Sequence, residues 1–370
     1  MDVGARINQG GSTVCIAVSG SAVFFRIRAI RDGMVILGLL VCLGACTRQP
    51  ETPQAQADAA VAEAIQTLGL TAESLSLPRL GRPYSTPGRL AVVDKAMQHP
   101  TGMVGLSRRL ADADPFASTR ANYLAVLLAE LGAENVFPVQ MPADTFPDPE
   151  SAAEWLPAGK IKDARLENIL RRILAALDQA QHTWERAGGQ PTDGELAALH
   201  KHLTGSVSYK GLKLDPRLLM LETYHAVGAR VKQAELATAV LQLLAAGESA
   251  LPALRKIAAP GDPLEWTTPL GRVRISGEGN DHHTGPFALL IDLGGDDVYE
   301  DVGQALEPGR VSMVIDLQGN DSVRWKDTPG PGAGLLGVSV WLDARGDDSY
   351  TGSNMGMGVG VLGAGVLWDI

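Results

Sequence analysis

The sequence predicts an α+β multidomain protein: an N-terminal signal segment, an all-α helical domain, and a C-terminal parallel β-helix-like repeat that stops inside its last unit. Three observations carry this. Glycine and acidic residues concentrate in the last 110 residues, apolar residues recur at helical spacing through the middle, and one ten-residue pattern returns every 24 to 27 residues near the end. A chain of 370 residues is long enough for two or three domains of ordinary size.

Charge divides the chain in the same places. Residues 1–45 carry four basic and two acidic side chains, residues 47–260 carry 22 and 23, and residues 261–370 carry six and 17. The last segment also holds 21 of the 42 glycines. The expected divisions are therefore a leader at 1–45, a polar tether at 46–57, a helical domain at 58–260 and a Gly/Asp-rich β-repeat domain at 261–370. A net charge of -10 with no basic face argues against a nucleic-acid partner. Three cysteines cannot build a disulfide framework.

In the leader, Arg26, Arg28 and Arg31 precede the uncharged run Met34 to Ala45. Twelve residues are too few to span a bilayer, which takes about 20. A basic stretch, a short apolar stretch and small residues at its end read as an export signal. Its end, Leu43-Gly44-Ala45-Cys46, resembles the lipobox of bacterial lipoproteins. That resemblance implies cleavage before Cys46, lipid on its sulfur and a membrane anchor. Thr47 rather than Asp after the cysteine implies, by the sorting rule of enteric bacteria, the outer membrane. Residues 1–22 are long for a leader and offer no role, so the expected start lies near Val23.

The middle is helical. Leu166, Ile169, Leu170, Ile173, Leu174 and Leu177 follow i, i+3, i+4, i+7, i+8 and i+11, with Arg165, Glu167, Arg171, Arg172 and Asp178 on other faces. Tyr123, Leu124, Leu127, Leu128 and Leu131 form a second stripe, and Leu218 to Val227 and Leu236 to Leu244 read as two further helices. No zinc-protease, nucleophile-elbow, phosphate-loop or paired-cysteine motif occurs here. His200 and His202 diverge on a helix, and His182 and His225 stand alone.

Beyond Pro260 the pattern is apolar-apolar-Asp-x-x-Gly-[Asp/Asn]-Asp-x-[Tyr/Val]. It appears as Leu290 to Tyr299, Val314 to Val323 and Trp341 to Tyr350. A degenerate first copy, Val273 to His282, has Ser276 for the leading aspartate, and a last copy begins at Leu367-Trp368-Asp369. Spacings of 24, 27 and 26 residues between leading aspartates signal stacked repeat units. Glycine is expected to supply positive φ at the corners, and Asp to bond its own backbone in Asx-turns. An open stack end exposes unpaired backbone, so the reading expects either a truncated product or a partner over the end.

Stacking would set equivalent aspartates about 4.8 Å apart, where two charges repel by about 0.9 kcal/mol even in water. The turns resemble the Gly-Asp-rich repeats of RTX-type calcium-binding proteins, and the longer period resembles repeats of uncharacterised bacterial envelope proteins. The first resemblance implies calcium on Asp296, Asp297, Asn320, Asp321, Asp347 and Asp348. The alternative leaves them as turn-formers, with Asp292, Asp316 and Asp343 bonding backbone at strand ends. Asp281, His282 and His283 are candidates for a transition metal or for acid–base work, provided that a turn brings the histidines together.

These readings converge on a lipid-anchored envelope protein acting as a non-catalytic scaffold or binding module, with calcium as cofactor and a protein or glycan as partner. The alternative is a polysaccharide-active enzyme on a β-helix, which would need a cleft joining the aspartates to Arg324 and Lys326, or to His282 and His283.

Overall fold

A computed structural model describes residues 3–6, 13–18, 21–25, 53–71, 119–130, 147–203, 223–224, 226–326, 328–352 and 356–370. The apolar leader, Cys46, His225 and most of 218–227 lie outside these. The chain divides into two compact units, Asp32–Val139 and Met1–Arg31 with Gln140–Ile370.

In the first unit, helices span Pro53–Thr67 and Arg120–Glu130. The former starts inside the segment read as tether. Proline suits a first helical turn, and Ala55, Ala57, Ala59 and Ala60 favour its continuation.

In the second unit, the Ala164–Ala187 helix begins where the Asp163 carboxylate accepts the Arg165 N–H at 2.8 Å. Its expected stripe, from Leu166 to Leu177, is buried. Gly188 ends it and Gly189, at φ +85°, turns the chain away. The Asp193–Leu203 helix, which carries His200 and His202, opens on a capping box between Thr192 and Glu195. The Gln233–Leu254 helix runs ten residues past the Leu236–Leu244 stripe.

The strands are β1 (Val3–Arg6), β2 (Thr13–Val18), β3 (Ser21–Phe25), β4 (Leu264–Thr268), β5 (Gly271–Ile275), β6 (His282–Thr284), β7 (Leu289–Asp292) and β8 (Val298–Glu300). They continue as β9 (Gln304–Ala305), β10 (Val311–Asp316), β11 (Ser322–Trp325), β12 (Ala333–Leu335), β13 (Val338–Asp343), β14 (Ser349–Gly352), β15 (Gly360–Val361) and β16 (Ala364–Asp369). From β7 onward the chain visits three sheets in turn. β7, β10, β13 and β16 are neighbours in one, β8, β11 and β14 in the second, and β9, β12 and β15 in the third, all paired in parallel. One circuit is a rung. β5 and β6 supply the first two strands of an earlier rung, in register with β7 and β8.

The repeat copies therefore stack in register: Leu290 beside Val314, Trp341 and Leu367, and Asp292 beside Asp316 and Asp343. Every residue of β7, β10, β13 and β16 is buried. One face joins Tyr299, Val323, Tyr350 and Trp325 in a core with Leu290, Val314, Trp341 and Leu367. On the other face, Met313 and Leu342 reach Gly247 of the Gln233–Leu254 helix. Burial on both faces explains why these strands read as continuous apolar runs rather than alternating ones. The Trp184 indole also donates to the Leu362 carbonyl at 3.0 Å, tying the Ala164–Ala187 helix to the last rung.

Residues 1–22, which had no role in the sequence reading, include β1 and β2. β2 pairs antiparallel with β16 from Ala364↔Val18 to Asp369↔Thr13, so β2 covers the edge of β16 as long as residues 1–45 remain attached. β1 pairs likewise with β14. An uncovered parallel edge leaves a row of unpaired backbone groups, which an antiparallel partner satisfies.

Candidate metal centre

The acidic residues of the repeat form three columns, each with its own hydrogen-bond rule. In the strand-end column, Asp292 Oδ1 accepts from Gly294 N–H at 2.9 Å, Asp316 Oδ1 from Gln318 at 2.9 Å and Asp343 Oδ1 from Arg345 at 3.2 Å. These are the expected Asx-turns. In the second column each carboxylate reaches back one rung: Asp297 Oδ1 accepts from Asp281 N–H at 2.5 Å, Asp321 from Asp297 at 2.7 Å and Asp348 from Asp321 at 2.7 Å. In the third column the side chains reach forward. Asn280 Oδ1 accepts from Asp296 N–H, Asp296 from Asn320 and Asn320 from Asp347, at 3.0, 2.9 and 3.1 Å.

The six candidates of the Gly-Asp turns thus separate by burial. Asp296, Asn320 and Asp347 are exposed; the side chains of Asp296 and Asn320 accept from the turn backbone one rung on, and Asp347 gives its own N–H to Asn320. Asp297, Asp321 and Asp348 are buried, and the Oδ2 atom of each has no hydrogen-bond partner. Among the described residues, three clusters could hold a metal ion, with candidate ligand atoms within 4.8 Å of one another: Asp281, His283 and Asp292; Asp297, Asp316 and Asp321; and Asp321, Asp343 and Asp348. The strand-end acids Asp292, Asp316 and Asp343 enter these clusters in addition to forming turns. Only the stacking of rungs brings them beside the second column.

The expected positive φ holds at Gly295 (+138°) and at corner glycines such as Gly303 and Gly332, but two motif glycines have a different reason. Gly319 and Gly346 do not have positive φ. A Cβ on Gly319 would overlap the Gly295 carbonyl oxygen, and one on Gly346 that of Gly319. Glycine lets successive turns touch through their backbones, which brings the acids of adjacent rungs together.

Burial dominates the electrostatics. It raises Asp297 to about 6, with Asp292 adding repulsion, and Asp321 to about 7, with Asp348 and Asp297 adding to it. Asp369 rises to about 7 for the same first reason and through Asp348. Burial also lifts Asp348, and carries Asp316 and Asp343 well above the carboxylate range, with Asp343 repelling the former and Asp348 the latter. Carboxylates so placed are stable only when protonated or neutralised by a cation.

The histidines point apart, as adjacent strand residues do. His282 is exposed beside Glu300 at 3.2 Å. His283 is fully buried, with Nε2 at 2.7 Å from Asp292 Oδ2 and its ring stacked on Tyr299 at 4.8 Å between centroids. A joint ligand pair from His282 and His283 does not form, and His283 has no exposed surface on which to meet a substrate. A polar depression lined by Arg255, Glu278, Gln318 and Arg345 includes none of Arg324, Lys326, His282 or His283.

No family model, curated protein or solved structure matches the chain.

Proposed function

We propose that this chain is a lipid-anchored protein of the bacterial cell envelope, held at Cys46 in the outer membrane. Its three mostly parallel sheets form a β-helix that serves as a non-catalytic scaffold or binding module for a protein or glycan partner. Calcium steadies the stack. The observation that supports the calcium reading is the set of buried second-column carboxylates whose Oδ2 atoms have no partner. Ligand chemistry narrows the ion: clusters built from carboxylate oxygens alone suit a hard cation such as calcium.

The module reading draws on the distribution of polar groups. The exposed third column repeats at the same place on each rung and gives a long regular face, as repeat proteins use for partners. The buried His283–Asp292 pair is directed into the core instead of toward a cleft.

Two experiments test the two halves. Labelled palmitate fed to a bacterial host is expected to enter the wild-type chain and not Cys46→Ala; label in both would remove the anchor. Calcium added to the purified chain is expected to raise the melting temperature with saturation, through binding to the native state alone. A flat melting temperature up to millimolar calcium would leave the aspartates as turn-formers.

A further inference from the structure

On two rungs one position supplies the next strand-end acid with a side-chain partner. His283, Tyr299, Val323 and Tyr350 form a single register row across β6, β8, β11 and β14. His283 lies 2.7 Å from Asp292 Oδ2, and the Tyr299 hydroxyl donates to Asp316 Oδ2. Tyr350 lies beside Asp369, but its hydroxyl meets no partner within hydrogen-bond distance. Valine has no donor, and the strand-end acid one rung beyond Val323 is Asp343.

Asp343 is wholly buried and its Oδ2 has no hydrogen-bond partner. Neither have Asp321 Oδ2 and Asp348 Oδ2, on residues 2% and 3% exposed. These three residues make one of the clusters whose ligand atoms lie within 4.8 Å of one another. The two preceding clusters differ. Both oxygens of Asp292 are occupied, by Gly294 and His283, and both of Asp316, by Gln318 and Tyr299. The rung without a tyrosine or histidine is thus the rung where three carboxylates each leave an oxygen unpaired.

We propose that Asp321, Asp343 and Asp348 bind one divalent cation that takes oxygen ligands, calcium being the probe, in place of the donor that Val323 lacks. This rests on the calcium reading above and narrows it to one ion per chain at a defined rung. One shared proton can join two of the three oxygens. A divalent ion contacts all three and offsets most of their charge, with water completing the six to eight oxygens calcium takes. No nitrogen or sulfur ligand is present to favour zinc or copper.

The test is calorimetric titration of the calcium-depleted full chain in detergent, with bound calcium counted per chain. Wild type is expected to bind one equivalent. Val323→Tyr, which restores the donor, is expected to bind at least 100-fold more weakly while melting no lower than calcium-free wild type. Should Val323→Tyr not fold, Asp343→Asn, nearly isosteric, carries the same expectation for affinity. Unchanged affinity in the folded variants would overturn the site. If affinity were lost instead in Asp296→Asn/Asp347→Asn, calcium would bind the exposed column, so the broader reading would stand and this one fail. No binding by wild type would end both.

Discussion

Val323 occupies on β11 the register position that Tyr299 holds on β8, one rung earlier. Through Tyr299 the structure gives the buried Asp316 carboxyl a hydroxyl donor; through Val323 it gives Asp343 none. That single exchange separates an acid satisfied by protein from one that requires a cation or a proton.

Tyr299→Phe removes the hydroxyl and keeps the ring that stacks on His283 and meets Trp341 edge-on at 5.0 Å. Losing a hydrogen bond to a buried acid is expected to lower unfolding free energy by about 1–3 kcal/mol. Urea unfolding of the metal-free chain measures it.

Stability should depend on pH in the opposite sense to most carboxylate-rich folds. An unfolded aspartate titrates at 3.8, whereas Asp297 in the fold titrates at about 6, and Asp321 and Asp369 at about 7. The folded chain therefore holds more protons, and stability falls as pH rises from about 4 to about 7. Metal-free chain is expected to have a higher urea midpoint at pH 5 than at pH 8. Saturating calcium, which replaces the protons at Asp321, Asp343 and Asp348, is expected to shrink the difference.

Gly346→Ala and Gly279→Ala test the backbone-contact account of the turns. The first puts a methyl against the Gly319 carbonyl, while the second meets nothing within 4 Å. Gly346→Ala is expected to cost about 1–3 kcal/mol, as overpacking does, and Gly279→Ala to be within about 0.5 kcal/mol of wild type. Chemical denaturation of both variants checks the contrast.

Removing residues 1–45, as processing at Cys46 would, uncovers the β16 edge that β2 pairs with. The shortened chain is expected to associate in a concentration-dependent way that the full chain does not show, because an open edge recruits other strands. Sedimentation velocity over a range of concentrations distinguishes the two.

Much of this was legible in the sequence, and the remainder was hidden for identifiable reasons. The Leu166–Leu177 stripe located a helix because its periodicity is local, and the spacing of Asp292, Asp316 and Asp343 placed them in one column because equal repeats stack in register. The Gly-Asp-Asp doublets did not show which acid is buried. Asp296 and Asp297 are chemically identical neighbours, and only the path of the turn exposes one and buries the other. The role of Gly319 was hidden because the atom it makes room for belongs to Gly295, on another rung. The pairing of Thr13–Val18 with Ala364–Asp369 joins opposite ends of the chain, and a β-rich stretch does not name its partner.

The most direct measurement is the infrared band of protonated carboxyl groups in the full chain at pH 6, before and after calcium. Buried acids with raised pKa values should give the band in calcium-depleted protein, and calcium should remove part of it as carboxylates replace carboxylic acids at Asp321, Asp343 and Asp348. A band that calcium leaves unchanged, at concentrations up to millimolar, would contradict a metal-bridged stack and assign the neutrality of these acids to protons alone.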